Sequence, residues 1–213
     1  MPDDGASRRF FDLWSLVYDN PVVQAVTYRP VQNAVLRAVG AQRPARVLDV
    51  GCGTGQLTVR LAEKVGSGVI GCDYSWGMLE QARRRGMLVP WVQADAARLP
   101  VAPATMDAVV CTESFHWYPD QPAALEELAR VLAPRGRVYI ALVNPSSALV
   151  SRLSARWSRR AGQPLRWPTP REMRALVEAA GMRVVRQRPV LRLPAGPVLP
   201  PVLTVAERHD RQP

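Results

Sequence analysis

The sequence of 213 residues has few of the residues that mark disulfide frames or metal sites. It contains two histidines and three cysteines. The cysteines, Cys52, Cys72 and Cys111, are far apart in the chain, and neither C-x-x-C nor H-E-x-x-H occurs. These absences exclude the common zinc patterns, so we predict no metal site. An odd number of separated cysteines is typical of reduced thiols in the cytoplasm.

Long apolar runs are also missing. The longest uncharged runs, 138–151 and 193–206, have 14 residues each and contain proline, whereas a membrane-spanning helix needs roughly 20 apolar residues. The first four residues, MPDD, lack the basic and apolar regions of a secretory signal. We therefore expect no spanning helix and a cytoplasmic location.

Basic charge is abundant, although Lys64 is the only lysine. The chain has 28 basic and 18 acidic side chains, a net charge of +10. Residues 1–143 carry 15 basic and 14 acidic residues, whereas residues 144–213 carry 13 and 4. This asymmetry indicates an anionic partner, which could be a small molecule, a membrane surface or a nucleic acid. The alternative is a solvated, arginine-rich surface.

Apolar runs of strand length alternate with helical patterns along the chain. The predicted strands are 45–51, 69–72, 89–93, 107–112, 137–143, 184–188 and 203–207, and the predicted helices are 56–65, 75–85, 123–132 and 171–180. Ser75 is expected to cap the second of these helices, and 134–136 (PRG) to form a turn. The alternation predicts an α/β fold, a doubly wound and mostly parallel sheet with helices on both faces.

A glycine-rich loop follows the first strand. Gly51, Gly53 and Gly55 stand on alternate residues between that strand and a helix, which lets a ligand lie against the backbone. Residue 56 is glutamine where a dinucleotide fingerprint has its third glycine, and no lysine follows the loop as in a P-loop. The pattern therefore favours a nucleoside ligand of another kind.

Acidic residues stand at the ends of three successive strands. They are Asp49, Asp73 and Asp95. Three acids make a poor cradle for a pyrophosphate and suit a cationic nucleoside without phosphate, a description that S-adenosylmethionine fits. The alternative is that each acid only caps the helix after it.

Four segments together carry a family resemblance: VLDVGCGTGQLT at 47–58, GCDYSWGMLEQAR at 71–83, QADAARLPVAPATMDAVVCTESFHW at 93–117 and LEELARVLAPRGRVYIAL at 125–142. In order and spacing they resemble the class I S-adenosylmethionine-dependent methyltransferases of the type 11 group, as found in quinone and phospholipid pathways. The resemblance implies a Rossmann-like, seven-stranded sheet with an antiparallel last strand. It also implies one domain over 1–213: a helical lid (1–44), a cofactor-binding core (45–143) and a basic, substrate-facing segment (144–213).

The resemblance implies a role for each matched position. Gly51, Gly53 and Gly55 would lie under the methionine part of the cofactor, and Asp49 would orient the loop. Asp73 would bind the ribose, and Asp95 and Ala96 the adenine. Further contacts to the cofactor are expected from Tyr74, Trp76, Met78 and Thr112, with Tyr18 of the lid closing the site.

Methyl transfer from a sulfonium is an in-line displacement that needs a base only if the acceptor must lose a proton. His116, directly after the fourth strand, is the first candidate, because imidazole titrates near neutrality. Glu113 is the second. The alternatives are that His116 only shapes the pocket and that Glu113 only holds the loop.

The loop after the fourth strand lacks the Pro-Pro-aromatic motif of nucleic-acid amino methyltransferases, which favours a small-molecule or lipid-like acceptor and disfavours nucleic acid.

A predicted helix over 147–161 has arginines along an apolar stripe, with serines behind it. Such a helix suits peripheral contact with an anionic membrane, or packing on its own sheet. Two other functions remain open: a nucleic-acid methyltransferase or binder that uses the basic C-terminal third, and a non-catalytic regulator that binds the cofactor.

Overall fold

Seven strands form a single sheet at the centre of the computed structural model, which describes residues 28–66, 68–85, 88–144, 149, 151–153, 156, 165–190 and 201–208. The strand order is β3-β2-β1-β4-β5-β7-β6. The strands are β1 (Val47–Val50), β2 (Val69–Asp73), β3 (Trp91–Gln93), β4 (Met106–Thr112), β5 (Leu132–Val143), β6 (Met182–Pro189) and β7 (Pro201–Arg208).

Strand direction divides the sheet into two parts. β1 pairs in parallel with β2 and β4, β2 with β3, and β4 with β5. The last strand, β7, is antiparallel to both of its neighbours, β5 and β6. The predicted fold, including the antiparallel last strand, is confirmed. Because the chain crosses over on either side of β1, the carboxyl ends of β1 and β4 border the crevice in which such sheets bind ligands.

Helices cover both faces of the sheet. They are α1 (Arg29–Gly40), α2 (Gln56–Val65), α3 (Trp76–Arg83), α4 (Gln121–Val131) and α5 (Pro170–Ala179). On one face, Val35 of α1 and Leu61 of α2 pack with Val110 of β4. On the other face, Leu128 of α4 and Met173 of α5 pack in the second apolar cluster. The two clusters fix the strand ends that carry the site.

Most predicted boundaries agree with the structure within a few residues, and local chemistry explains the shifts. Helix α4 begins at Gln121 because the Asp120 side chain accepts a hydrogen bond from the Ala123 N–H. Helix α3 is capped by Ser75, as predicted. Helix α5 begins at Pro170, after a capping box formed by Thr169 and Glu172.

The sequence predicts a turn at 134–136 that separates α4 from the fifth strand, and this prediction is wrong. These residues belong to β5, which begins at Leu132. The register against β4 jumps from Met106–Leu132 to Ala108–Arg137, and Arg135 has a φ of 65°. The extra residues bulge out of the ladder without ending it, because pairing with β4 resumes on both sides.

The lid predicted over 1–44 is described only from residue 28 onward. Its described part forms α1, which has a proline in its first turn and buries Val31, Val35 and Val39 against the sheet. Tyr18 lies outside the described residues, so its predicted role is not addressed by the structure.

The helix predicted over 147–161 is described only at residues 149, 151–153 and 156, which are helical. Leu149 is 67% exposed and Leu153 is 57% exposed, whereas Ser151 is buried and donates a hydrogen bond to the Trp167 carbonyl. The serine therefore faces the protein and the two leucines face outward. In the described part of the chain, every helix is too short or too polar to cross a membrane.

Candidate functional site

The glycine-rich loop turns at the carboxyl end of β1. Gly51, Gly53 and Gly55 all adopt positive φ angles, of 71°, 55° and 77°. The Gly51 and Cys52 N–H groups donate to the Cys72 carbonyl at 2.8 and 3.0 Å, which ties the loop to the end of β2. The loop leads directly into α2, so its backbone lies along the ligand crevice.

Two of these glycines are also required by their neighbours. A Cβ on Gly51 would overlap the Ser114 hydroxyl, and a Cβ on Gly55 would overlap the Trp91 ring. The same ring covers Gly71 of β2. The sequence pattern predicts the glycines, but not Ser114 or Trp91, which come from the loop after β4 and from β3.

Asp73 holds the loop and the start of α3 together. Its Oδ2 accepts a hydrogen bond from the Gly53 N–H, and its Oδ1 accepts one from the Ser75 N–H, both at 2.8 Å. Two backbone donors fix this carboxylate at the end of β2, where the sequence predicts a contact to ribose. The geometry of Asp73 suits both capping of α3 and binding of ribose, so the ribose contact remains a prediction.

Asp49 is a buried carboxyl at the end of β1. Only 1% of the residue is exposed, and its Oδ2 accepts a hydrogen bond of 2.7 Å from the Thr58 hydroxyl of α2. Burial raises the pKa of Asp49 to about 7, the Thr58 hydrogen bond opposes this, and the Asp73 charge adds to it. Within the described residues, Asp49 forms no ion pair.

Arg85 contacts the glycine loop, and Asp95 lies beyond the next strand end. The Arg85 Nε donates to the Thr54 carbonyl in the glycine loop at 2.6 Å. Asp95, just beyond β3, is exposed and accepts a hydrogen bond from the Ala97 N–H at 2.9 Å. Ala96 beside it is half-buried. The structure thus places the predicted adenine-binding pair at the same sheet edge as Asp73.

The aromatic residues after β2 differ in accessibility. Trp76 is 40% exposed, with the Arg83 guanidinium 4.5 Å from its ring centre, and Tyr74 is exposed as well. Met78 is buried, and its N–H donates to the Ser75 side chain in the helix cap. An apolar cofactor contact at this edge is therefore available from Trp76, while Met78 packs inside.

The loop after β4 lies against the glycine loop through two hydroxyl groups. Ser114 Oγ donates to the Val50 carbonyl at 3.2 Å, and the Tyr118 hydroxyl donates to the same carbonyl at 3.4 Å. The Ser114 and Tyr118 hydroxyls are 3.1 Å apart, and the Cys111 thiol contacts both. This contact fixes the two loops relative to each other.

Glu113 stands at the end of β4 with a φ of 52°. Its N–H continues the ladder by donating to the Ala141 carbonyl at 2.8 Å, and its Oε2 accepts from the Val143 N–H at 3.4 Å. Burial raises the pKa of Glu113 to about 7, opposed by the Val143 hydrogen bond. Thr112, the preceding residue, has a buried hydroxyl without a hydrogen-bond partner.

His116 lies in a short 3-10 helix, Phe115–Trp117. Its ring stacks on Trp167 with 5.2 Å between ring centres, and its buried Nδ1 has no hydrogen-bond partner. Burial lowers the pKa of His116 to about 3. A base is most effective when its pKa is near the working pH, so these surroundings favour Glu113 over His116 as a base. The catalytic role of either residue remains a prediction.

No metal centre accompanies this site in the described part of the chain, where no three His, Cys, Asp or Glu residues are grouped to hold an ion. The thiols of Cys52, Cys72 and Cys111 are free. Burial raises the pKa of Cys111 to about 11, so this thiol is not a ready nucleophile.

Comparison with known proteins supports the family resemblance that the sequence indicates. The family model described as "Methyltransferase domain" matches residues 47–136. The malonyl-[acyl-carrier protein] O-methyltransferase of Geobacter sulfurreducens is 34% identical over 87% of this chain and 73% of its own length. The demethylmenaquinone methyltransferase of Mycolicibacterium vanbaalenii is 32% identical over 87% of this chain and 86% of its own.

Other curated relatives, 37 to 42% identical, match over only 26, 55 and 46% of their own length. Among solved structures, the Burkholderia thailandensis 1,6-didemethyltoxoflavin-N1-methyltransferase with bound S-adenosylhomocysteine aligns with a TM-score of 0.71 and 25% identity. The alignment covers 99% of this chain and 91% of that one.

Proposed function

This chain belongs to the class I S-adenosylmethionine-dependent methyltransferases of the type 11 group, and we propose that it transfers a methyl group from S-adenosylmethionine to a small-molecule or lipid-like acceptor. The acceptors named for its relatives, a demethylmenaquinone and a malonyl group on a carrier protein, are of this kind.

The observation that carries the proposal is a tight glycine turn beside a buried carboxyl at the end of β1. The three glycines form a tight turn with positive φ angles, and Asp49 is buried beside it without an ion-pair partner among the described residues. A buried carboxyl whose pKa is raised by burial binds a cation more favourably than a phosphate. These residues therefore fit a sulfonium and ammonium ligand.

Each residue of this edge has a role in the proposal. Asp73, oriented by Gly53 and Ser75, would accept hydrogen bonds from the ribose hydroxyls. Asp95 and Ala96 would contact the adenine, and Trp76 would cover it with an exposed ring. When bound, the cofactor supplies an electrophilic methyl group with a good leaving group. The chain's own contribution is positioning and exclusion of water.

His116 is a positioning residue in this proposal. Its carbonyl accepts a hydrogen bond of 2.9 Å from the Arg166 N–H, and its ring stacks on Trp167. Gln121 strengthens the connection by donating to the Phe115 and Arg166 carbonyls at 3.2 and 2.8 Å. The loop after β4 is thereby fixed to the segment that precedes α5.

The test is transfer of an isotopically labelled methyl group to a panel of quinols, phenols, amines and lipid extracts. Asp73→Asn should reduce transfer at least tenfold, because it weakens the ribose contact. Asp107→Asn is the matched control, since Asp107 also accepts from two backbone N–H groups, those of Ala45 and Arg46, at the opposite edge of the sheet. Equal loss in both variants, or no transfer to any acceptor, would count against the proposal.

A peripheral membrane contact through 147–161 is part of the same proposal. The outward-facing Leu149 and Leu153, with exposed Arg152 and Arg156 beside them, suit an anionic interface. Flotation with vesicles containing anionic lipid should recover the protein at low salt and lose it at high salt. A Leu149→Ser, Leu153→Ser variant should float less, and flotation unaffected by salt and by this variant would refute the contact.

A further inference from the structure

A groove lies between α1 and α2, and none of the residues that line it belongs to the candidate site described above. Its volume is about 610 Å³. Among the described residues, three cations line it, Arg37 of α1 with Arg60 and Lys64 of α2, together with a single carboxylate, that of Glu63. The groove is therefore positive, although residues 1–143 as a whole are nearly neutral.

Arg60 is held in the wall of this groove by neutral partners. Its Nη1 donates a hydrogen bond to the Gln32 Oε1 at 2.9 Å, and its Nη2 donates one to the Asn33 Oδ1. Gln32 is buried, so packing fixes its position on α1. Because both partners are amides, they orient the guanidinium without neutralising its charge. These bonds also use only two of the donors that a guanidinium has, which leaves others for a ligand.

The cations of the groove have no carboxylate partner in the part of the chain that the structure describes. An exposed arginine elsewhere, Arg46, lies 3.8 Å from Asp107. Arg37, Arg60 and Lys64 form no ion pair of this kind with a described residue. A groove with uncompensated charge of one sign attracts ions of the other sign.

Arg60 is also repelled by a neighbouring cation. Burial lowers the pKa of the Arg60 guanidinium, and the charge of Arg29, in the first turn of α1, lowers it further, whereas Glu63 opposes both effects. A lowered pKa means that the surroundings disfavour the charged form of the side chain. An anion bound beside Arg60 would reverse this effect, because an opposite charge favours the charged form.

Gly40 makes room for Lys64 at the end of α1. A Cβ on Gly40 would lie only 2.9 Å from the Lys64 Cε, so the lysine side chain passes over this glycine. The ammonium group is bonded to that carbon and therefore lies near the end of α1. Leu36, which is half-buried, adds an apolar surface to the lining. The groove thus combines cations with an apolar contact.

We propose that the groove between α1 and α2 binds the phosphate group of an organic ligand, with Arg37, Arg60 and Lys64 as its cationic partners. A phosphate accepts hydrogen bonds from guanidinium and ammonium groups at the same time. The groove has the volume of a small-molecule pocket, more than a phosphate alone needs, so the organic part would lie against Leu36. This site goes beyond the proposed methyl transfer and does not depend on it.

Titration of phenyl phosphate into the full chain tests the proposal. The wild type should bind one molecule per chain, and more tightly than benzyl alcohol, which has the ring without the phosphate. Lys64→Gln should weaken binding roughly tenfold or more, since one charge-assisted contact is lost. Arg174→Gln on α5 is the matched control, because it removes the same charge from an exposed helix residue, and its affinity should stay within twofold of wild type.

Variants of Arg60 separate ligand binding from the joining of α1 to α2. Arg60→Gln should weaken binding of phenyl phosphate at least tenfold and also lower the thermal unfolding midpoint, because it loses its bonds to Gln32 and Asn33. Arg60→Lys keeps the charge and should retain more of the affinity. Lys64 is exposed, so Lys64→Gln should leave the midpoint unchanged, and its weaker binding would then not come from loss of the fold.

A soluble phosphate ester and a lipid headgroup present the same chemistry, and vesicles distinguish them. Flotation with vesicles that contain phosphatidic acid is compared between the wild type and Lys64→Gln. Equal recovery of the two proteins supports a soluble ester as the ligand of the groove, whereas a much lower recovery of Lys64→Gln supports a lipid headgroup.

Three results would overturn the proposal. The first is that the wild type shows no saturable binding of phenyl phosphate. The second is that benzyl alcohol binds as tightly as phenyl phosphate, which would mean that the phosphate is not recognised. The third is that Arg174→Gln weakens binding as much as Lys64→Gln, which would mean that the total charge of the chain attracts the anion and the groove does not.

Discussion

Two carboxyls of the site, Asp49 and Glu113, have raised pKa values. Burial raises the pKa of each to about 7. Because a carboxyl with a raised pKa holds its proton in the folded state after the unfolded state has released it, these groups reduce stability as the pH rises from about 4 to about 7. That cost is offset when a cation binds, which is why acids of this kind belong in a binding site.

Binding of a cationic cofactor should therefore depend on pH. S-adenosylmethionine favours the ionised form of Asp49, so its affinity should rise between pH 6 and pH 8 as less of the apoprotein has to lose a proton. S-adenosylhomocysteine lacks the sulfonium charge and should show a weaker rise. Titration calorimetry at three pH values checks this, and Asp49→Asn should flatten the difference. Identical pH slopes for both ligands would contradict the role given to Asp49.

His116 should affect stability in acid. Its pKa is about 3 in the folded state and near 6.5 when exposed. Below pH 6.5 the unfolded chain binds a proton at His116 that the folded protein does not bind. The free energy of unfolding therefore falls by about 1.4 kcal/mol per pH unit well below pH 6.5. Urea unfolding at pH 7, 6 and 5 should show a smaller loss for His116→Gln than for wild type. Equal losses would show that His116 is not buried and neutral.

The residues of the site differ in how far sequence alone predicts them. The positions of Asp49, Asp73 and the three glycines at strand ends could be predicted because they follow from the strand pattern, and their contacts to the cofactor remain predictions. Ser114 could not, because its partner, the Val50 carbonyl, is 64 positions away in the chain. The surroundings that separate Glu113 from His116 also arise from tertiary packing, which no local pattern reveals.

The element that most constrains the site is the turn from β1 into α2. Its glycines are required both by their positive φ angles and by the side chains packed against them. Two glycines of the chain allow the two effects to be measured separately. Gly55 and Gly181 share a φ of 77°, but a Cβ would meet the Trp91 ring at Gly55 and nothing within 4 Å at Gly181.

Alanine at the two positions should therefore have different effects. Gly181→Ala should cost about 1 kcal/mol of folding stability, from backbone strain alone. Gly55→Ala should cost roughly 1–3 kcal/mol more because of overpacking, and should weaken cofactor binding as well. Denaturant unfolding of both variants, with a double-mutant cycle through Trp91→Leu, measures the difference. Equal costs would show that the Trp91 contact does not constrain the loop.

Helix α5 depends on its first residues. The Thr169 side chain accepts a hydrogen bond from the Glu172 N–H at 3.2 Å, and Glu172 Oε2 accepts one from the Thr169 N–H at 2.8 Å. Thr169→Ala should reduce the free energy of unfolding by about 1 kcal/mol, and Thr169→Ser should restore most of it. Because Ser151 also contacts Glu172, a loss well below this value would mean that other contacts hold the helix start.

Over the whole molecule, the charge is unevenly distributed along the chain. Residues 1–143 are nearly neutral and contain the acids at the carboxyl ends of β1, β2 and β3, whereas residues 144–213 carry nine excess positive charges. The α/β architecture could be predicted because strand and helix periodicities alternate clearly. The β5 bulge could not, because it depends on pairing with β4 across the sheet.

Titration of S-adenosylmethionine and S-adenosylhomocysteine into the wild-type protein and Asp73→Ala tests whether the carboxyl ends of β1, β2 and β3 bind the cofactor. Both ligands should bind the wild type at one site per chain. Asp73→Ala should bind each at least tenfold more weakly while remaining folded. Failure of the wild type to bind either ligand, or unchanged affinity in Asp73→Ala, would contradict the assignment of this sheet edge as the cofactor site.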